Sequence, residues 1–341
     1  MTESDLTALA VRALEGLGLA RADAERVAFV LVMGDLMGHA THGVLRLESY
    51  GDRIRRGAID PRAQPVVEEV APAMARVDGN RAIGPLTGRV ALDEAMARAR
   101  KLGVGAAFVR NGNHFGAIAP YSWLAAQSGF ASIIGSNASV TVAPTGAREE
   151  RLGNNPLAIG VPRPGGDPVI LDMAMSVAAR GKIRAAAKKG EPIPATWATD
   201  REGRPTTDPR AALEGFLMPF GGHKGYGLAV MVDLFAGLLA GGAYLTHVKS
   251  WQDQPDDPGN LGHFFIAIDC KALGNADWLA QRMADFAQIL HASARADEKV
   301  PVRLPGEIEM EKLARHRRDG IAIDPEVVTM LESLAGRGAK G

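Results

Sequence analysis

The apolar residues of this chain change period twice, and that change limits the fold more than any other feature. Over the first 57 residues they recur at helical spacing: Leu6, Leu9, Ala10, Ala13, Leu14 and Leu17 follow the i, i+3, i+4, i+7 pattern. Gly18 is placed to stop that helix. Residues 21–38 read as a second, and a third runs from about Thr41 to Gly57, where Ile59-Asp60-Pro61 ends it. Short extended pieces follow at 65–70 and 73–78, then a helix opened by Pro85 and running to Leu102. From Gly103 the pattern becomes that of strands: 104–109, 130–134, 157–161, 168–173 and 264–269 are short apolar runs punctuated by Gly and Pro. Helices are predicted among them at 116–127, 182–189, 225–239 and 277–295, and 190–221 reads as a surface loop. Helical periodicity returns at 309–318 and 325–334. The expected architecture is α/β: one helical domain built from both ends, residues 1–75 and 300–341, around an α/β domain of residues 76–299.

Charge narrows the class. Lys+Arg and Asp+Glu each number 39, so the chain lacks the basic excess of a nucleic-acid binder and the charge run of an acidic tail. Cys270 is the only cysteine, which rules out an internal disulfide and a Cys-type zinc site. The start, MTESDLTALA, carries early acids and no basic segment ahead of an apolar run, unlike a secretory signal. The longest apolar stretch, 228–239, is interrupted by Asp233 and falls short of the roughly 18 residues of a membrane span. A cytoplasmic protein, with no membrane or nucleic-acid partner, is expected.

The usual nucleotide and hydrolase signatures are missing. No G-x-G-x-x-G joins a strand to a helix, Gly181-Lys182 is followed by Ile183 rather than Ser or Thr, and neither H-E-x-x-H nor G-x-S-x-G occurs. His39 and His42 have the spacing of two metal ligands, but no carboxylate or third histidine completes a set, so no metal is expected. Four polar constellations remain. In GHATHGVLR, a helix capped by Thr41 would place His42 and Arg46 one turn apart on one face. Reducing a 2-oxo acid requires a proton donor at the carbonyl and a cation on the adjoining carboxylate. Histidine and a bidentate arginine supply these; an interfacial histidine and a solvated arginine would look the same at this level. Asn111-Gly112-Asn113-His114-Phe115-Gly116 forms a polar turn after a strand, where α/β proteins bind ligands or simply reverse the chain. Asp172 ends an apolar strand, as a ribose acceptor or as a cap for the next helix, and Ser176, Arg180 and Lys182 follow. Gly221-Gly222-His223-Lys224 opens an apolar helix, suited to an anion or to a flexible loop.

In this order the segments GHATHGVLRLESY, VRNGNHFGAIAPYSWLAAQSG, LGNNPLAIGVP, VILDMAMSVAARGKI, PFGGHKGYGLAVMVDL and RLPGE resemble the second type of the malate/L-lactate dehydrogenase family. Its relatives include sulfolactate and ureidoglycolate dehydrogenases, diketogulonate reductase and Δ1-piperideine-2-carboxylate reductase. The resemblance implies a non-Rossmann nicotinamide-binding fold with a mixed, largely antiparallel sheet, a helical part from both ends, and a homodimer. It implies NAD or NADP as cofactor and a small anionic substrate of the malate or lactate type. By position, His42 resembles the proton donor, oriented by Thr41, and Arg46 the carboxylate clamp. Arg180, Lys182 and Asn154 fall in the substrate-binding segments. His114, Phe115, Gly116, Asn137, Asp172, Met173, Ala174, Ser176, His223, Lys224, Gly306 and Glu307 match cofactor positions. The histidine matching His114 is the base in one branch, so the acid/base role lies with His42 or His114. Two departures stand out. Asn154 replaces a threonine in the family's GTNP, and Lys182 stands where the imine-reducing branch has an aspartate. The latter favours a hydroxy acid over the alternative substrate, a cyclic imine such as Δ1-pyrroline- or Δ1-piperideine-2-carboxylate.

Overall fold

The computed structural model of the protein describes residues 1–251 and 253–336. Helices α1 (Glu3–Gly16) and α2 (Arg21–Leu36) bury the periodic leucines read from the sequence. Leu6, Leu14, Leu31 and Leu36 are fully enclosed, each such side chain stabilising by roughly 1.5–3 kcal/mol. The opposite end of the chain joins this core. Helices α10 (Glu307–Asp319) and α11 (Pro325–Ala335) add Met310, Leu313, Leu331 and Leu334 to it, and the N-terminal amine donates to the Ile321 carbonyl at 2.9 Å. Helix α3 (Arg46–Arg55) contributes Leu47 and Tyr50.

The centre is a seven-stranded sheet. Its strands are β1 (Val66–Ala71), β2 (Met74–Asp78), β3 (Val104–Gly112), β4 (Phe130–Ser136), β7 (Leu157–Val161), β8 (Val169–Met173) and β9 (Leu261–Asp269). Strands β5 (Val140–Val142) and β6 (Leu152–Gly153) form a separate pair. The order is β1-β2-β3-β9-β4-β7-β8, and every neighbouring pair is antiparallel except β2–β3. Side chains alternate between the two faces. Ala107, Val109, Phe265 and Ala267 face helices α4 (Gly84–Leu102) and α5 (Ala119–Gln127). Phe108, Phe264 and Ile266 face α8 (His223–Asp233). Both faces are covered, so these strands read as apolar runs rather than as an alternation.

Several predicted boundaries move. The third helix starts at Arg46, not Thr41, because residues 40–42 form a separate 3-10 turn and Gly43 is extended (φ −88°, ψ −150°). Helix α5 starts at Ala119 rather than Gly116, whose φ of 87° no helix accepts. The short helices α6 (Arg180–Lys189) and α9 (Ala276–His291) fall near their predicted places. The expected loop at 190–221 contains α7 (Pro209–Glu214), capped by Asp208 accepting from the Arg210 N–H at 2.9 Å. The expected helix over 225–239 begins at His223, and its last part, Leu234–Leu239, widens into a π-helix after the buried Asp233. Among the described residues no helix is long and apolar enough to cross a membrane.

Candidate active site

A buried carboxylate builds the first wall. Asp35 near the end of α2 is 4% exposed and accepts the Val44 N–H at 2.8 Å. A Cβ on Gly43 would overlap that carboxylate, so only glycine lets the turn pack this closely. Burial pushes the Asp35 carboxyl up to about 7, against the opposing Val44 hydrogen bond. The turn held in this way carries Thr41, whose Oγ1 lies 2.9 Å from His42 Nδ1. Arg46 Nε donates back to the Thr41 carbonyl at 2.6 Å. His42 and Arg46 are therefore neighbours through a folded-back turn, not through one helical face, which corrects the reading of Thr41 as the helix cap.

The polar turn after β3 supplies the second wall. Gly116 lets it come close: a Cβ there would sit 3.3 Å from Val30 Cγ1 and 3.6 Å from the His42 carbonyl oxygen. The His114 ring lies 5.5 Å from the His42 ring and 5.2 Å from the Trp251 ring, nearly parallel to the latter at 5°. Its Nδ1 is 2.8 Å from the Tyr50 hydroxyl. Arg46 stacks over Trp251 at 5.3 Å. Burial, then the charge of Arg46 and the neighbouring His39, pulls His42 down to about 4. Burial, Arg46, His42 and His263 hold His114 well below the usual histidine range. Both imidazoles are neutral at pH 7. Burial lowers Arg46 itself, and the charge of Arg184 on α6 lowers it further. The Arg46 guanidinium thus shares one neighbourhood with two uncharged imidazoles, which is a setting for an anion that carries a reducible or oxidisable centre.

A cavity of about 90 Å3 lies under the β8 end. It brings together Asp172 and Gly306 of the expected cofactor set, with His39, Ala119 and Glu309. Asp172 accepts from the Ala119 N–H at 2.7 Å, so it caps α5 rather than the helix that follows it. Burial raises its carboxyl, with His39 and backbone N–H groups opposing. His39 Nε2 is buried without a hydrogen-bond partner among the described residues. Asp172, His39 and the positive-φ Gly306 fit a ligand carrying hydroxyls. His223 and Lys224 stand exposed at the start of α8, after Gly221 and Gly222, with open space around those two glycines.

Other expected residues are spent inside the fold. Asn137 donates to Asp233 (3.1 Å) and the Ala243 carbonyl (2.7 Å) and accepts from Gly262 (2.9 Å), which uses its whole amide. Phe115 packs in the core against His263 at 4.2 Å. Met173 is paired in the sheet with Leu157, and Ala174 follows it directly. Ser176 donates to the Ala178 carbonyl at 3.0 Å, and the Asn154 carbonyl accepts from Met175 at 2.8 Å. Arg180 is ion-paired with Glu150 at 3.0 Å and bonded to the Leu213 and Gly215 carbonyls; Lys182 lies over Trp197 at 6.0 Å. Glu307 accepts from Leu304 N–H and meets His291 at 2.8 Å. Sequence reasoning missed Asp35, Tyr50, Arg184 and Trp251. Tyr50 follows Arg46 by four, and Arg184 follows Arg180 by four, so helical spacing held a signal for both. Trp251 is distant in sequence and carried none.

A sequence model of the malate/L-lactate dehydrogenase family matches residues 1–332. The chain is 36% identical to an L-sulfolactate dehydrogenase of Methanothermobacter thermautotrophicus, over 91% of this chain and 88% of that one. It is also 36% identical to a Δ1-pyrroline-2-carboxylate reductase of Ancylobacter novellus, over 94% and 93% of the two chains. The crystal structure of malate dehydrogenase from Entamoeba histolytica superposes with a TM-score of 0.92 at 29% identity, covering 100% of this chain and 98% of that one. With the antiparallel-dominated sheet and the His42–Arg46–His114 cluster already in place, the chain belongs to the malate/L-lactate dehydrogenase family.

Proposed function

We propose that the protein interconverts a small 2-hydroxy acid and its 2-oxo acid with NAD or NADP. The observation that carries this reading is the convergence of Arg46, His42 and His114 from two separate turns. Arg46 receives the substrate carboxylate in its guanidinium fork. That fixes the adjoining C2 oxygen toward the histidines, and His42 gives it a proton on reduction or takes one on oxidation. Trp251 and Tyr50 enclose the pair and keep water away from it. The nicotinamide supplies or receives hydride at C2. Asp172, Gly306 and His39 would hold one part of the cofactor, and His223 with Lys224 its charged part. The sheet itself, rather than a doubly wound dinucleotide fold, bears this site.

Arg184 adds a preference. Its positive charge, felt at Arg46, supports a substrate with a second anionic group, as in malate or sulfolactate, over lactate. The alternative reading is reduction of a cyclic imine, supported by the likeness to a Δ1-pyrroline-2-carboxylate reductase. NADH and NADPH oxidation measured with oxaloacetate, sulfopyruvate, pyruvate and Δ1-pyrroline-2-carboxylate separates the two. Highest kcat/KM on a dianionic oxo acid is expected, with Arg184→Ala narrowing its advantage over pyruvate about threefold, the scale of one weak ion pair. Highest kcat/KM on the imine would replace the main reading.

We further propose that the molecule is a homodimer of the cytoplasm. The reduced, unpaired Cys270 is consistent with that compartment. A helical unit of residues 1–75 and 300–341 against residues 76–299 remains the proposed division. The pairing of β1 with β2 in the sheet supports moving the first boundary of that proposal to about residue 65.

A further inference from the structure

The two histidines are held by hydroxyls of opposite character. Thr41 is exposed, so its hydroxyl can donate to His42 Nδ1 or accept from it and exchange the difference with water. Tyr50 is 1% exposed, and among the described residues His114 Nδ1, at 2.8 Å, is its only hydrogen-bond partner. A buried hydroxyl that failed to donate would leave its proton unpaired at a cost of about 1–3 kcal/mol. The Tyr50 O–H therefore donates to Nδ1, and a neutral imidazole that accepts at Nδ1 carries its own proton on Nε2. Trp251, parallel to the ring at 5.2 Å, and His42, at 5.5 Å, limit ring rotation.

We infer that Tyr50 is a positioning residue that locks His114 as its Nε2–H tautomer, making His114 a fixed hydrogen-bond donor to the substrate C2 oxygen and leaving proton transfer to His42. The inference rests on the proposed oxidoreductase reading and decides between the two histidines within it. In reduction, a bound nicotinamide would supply hydride to C2 while the C=O π pair moves to oxygen. His114 Nε2–H stabilises the growing negative charge without losing its proton. His42, neutral in the free protein, takes up a proton from solvent when the substrate carboxylate cancels the Arg46 charge, yields that proton to the oxygen and returns to the neutral form. Tyr50 remains a phenol throughout; burial raises its hydroxyl above the ordinary tyrosine value.

The test combines a tautomer measurement with paired substitutions in the full-length protein. Long-range 1H–15N correlation spectra of 15N-histidine-labelled protein report the protonated nitrogen directly. His114 is expected as Nε2–H from pH 6 to 8, and as a mixture in Tyr50→Phe, which keeps the buried ring. Kinetically, Tyr50→Phe lowers kcat about tenfold at unchanged KM, on the scale of a weakened oxyanion donor. His114→Gln retains an N–H donor in a less fixed position and loses about tenfold, as Tyr50→Phe does, whereas His42→Gln loses about 10²–10⁴-fold. Thermal melts confirm that each variant is folded. An Nδ1–H tautomer in the wild type overturns the inference, as does a loss in His114→Gln as deep as in His42→Gln. Full activity in both Gln variants also overturns it by removing both histidines from the reaction, whereas a wild type that turns over no oxo acid would instead remove the oxidoreductase reading while leaving the tautomer result standing.

Discussion

Arg46 acts on its neighbours before it touches a substrate, and this gives binding a pH signature. Its charge is the second cause, after burial, that lowers His42 to about 4. A carboxylate on the guanidinium cancels that charge, so the His42 pKa rises in the complex and the protein takes up protons as it binds. Oxo-acid analogues such as oxamate should therefore bind more tightly as pH falls from 8 to 6 with cofactor present. Calorimetry in buffers of different ionisation enthalpy should show fractional proton uptake, absent in Arg46→Gln; no uptake in the wild type would sink the linkage. Stability follows two opposite signs. His42, lowered from 6.5 to about 4, contributes stability at neutral pH that is lost as pH falls through that window. Asp35, raised from 3.8 to about 7, contributes stability in acid that is lost as pH rises toward 7. Asp35→Asn keeps an acceptor for Val44 without a buried charge, so its stability relative to wild type should improve between pH 4 and 7. Asp35→Ala leaves the N–H unpaired and should cost about 1–3 kcal/mol by denaturant unfolding. Equal pH dependence in Asp35→Asn and wild type would exclude the buried-charge account. The closeness of His42 and Arg46 was legible in sequence because only four positions separate them, whereas that of His114, which lies 5.5 Å from His42 ring to ring, was not written in spacing. The partners of Arg180 were not legible, because residue type does not reveal direction: its guanidinium pairs with Glu150 and bonds the Leu213 and Gly215 carbonyls.

At the scale of elements, α3 serves two purposes from opposite ends. Its first turn offers Arg46 and Tyr50 to the site, and Arg53 near its other end ties down the chain that follows Trp251. Arg53 is 4% exposed and donates to the Pro255 carbonyl (3.4 Å), the Asp257 carbonyl (2.8 Å) and Asn113 Oδ1 (3.3 Å), next to His114. Arg56 adds an exposed pair to Asp256, which is worth little alone. Removing Arg53 leaves three acceptors short and loosens both Trp251 and the His114 turn. Arg53→Ala should speed amide exchange over residues 253–260 and raise KM for the oxo acid more than it lowers kcat. Unchanged exchange there would show that other contacts hold the segment. The core helices and strands were legible because their period of burial is long and regular. The shift of α3 from Thr41 to Arg46 was not, since it depends on a carboxylate from α2 filling the space beside Gly43. The same holds for the π-helix. Buried Asp233 bonds the Leu245 N–H at 3.0 Å and Asn137, a demand from remote residues that helical periodicity cannot register.

For the whole molecule, balanced charge of 39 against 39 leaves association to apolar surface. That surface is uneven. Along α8 and its π-helical extension, Leu228 (44% exposed), Met231 (49%), Leu238 (50%) and Leu239 (55%) form an apolar stripe facing solvent. A run of large aliphatic residues of this kind marks an association surface more often than a monomer's exterior. A two-fold partner offering the same stripe would cover it, because an isologous contact pairs a patch with itself. The same helix begins at His223 and Lys224, so the proposed cofactor loop is fixed to the seam. Association and activity should then be linked. Sedimentation should show a dimer at micromolar concentration, and Met231→Glu combined with Leu238→Glu should give a folded monomer with weakened NADH binding by fluorescence. Specific activity of the wild type should fall on dilution once the dimer dissociates. A wild type that sediments as a monomer with full activity would overturn the assembly, and a monomeric double variant that binds NADH normally would separate the cofactor loop from the seam.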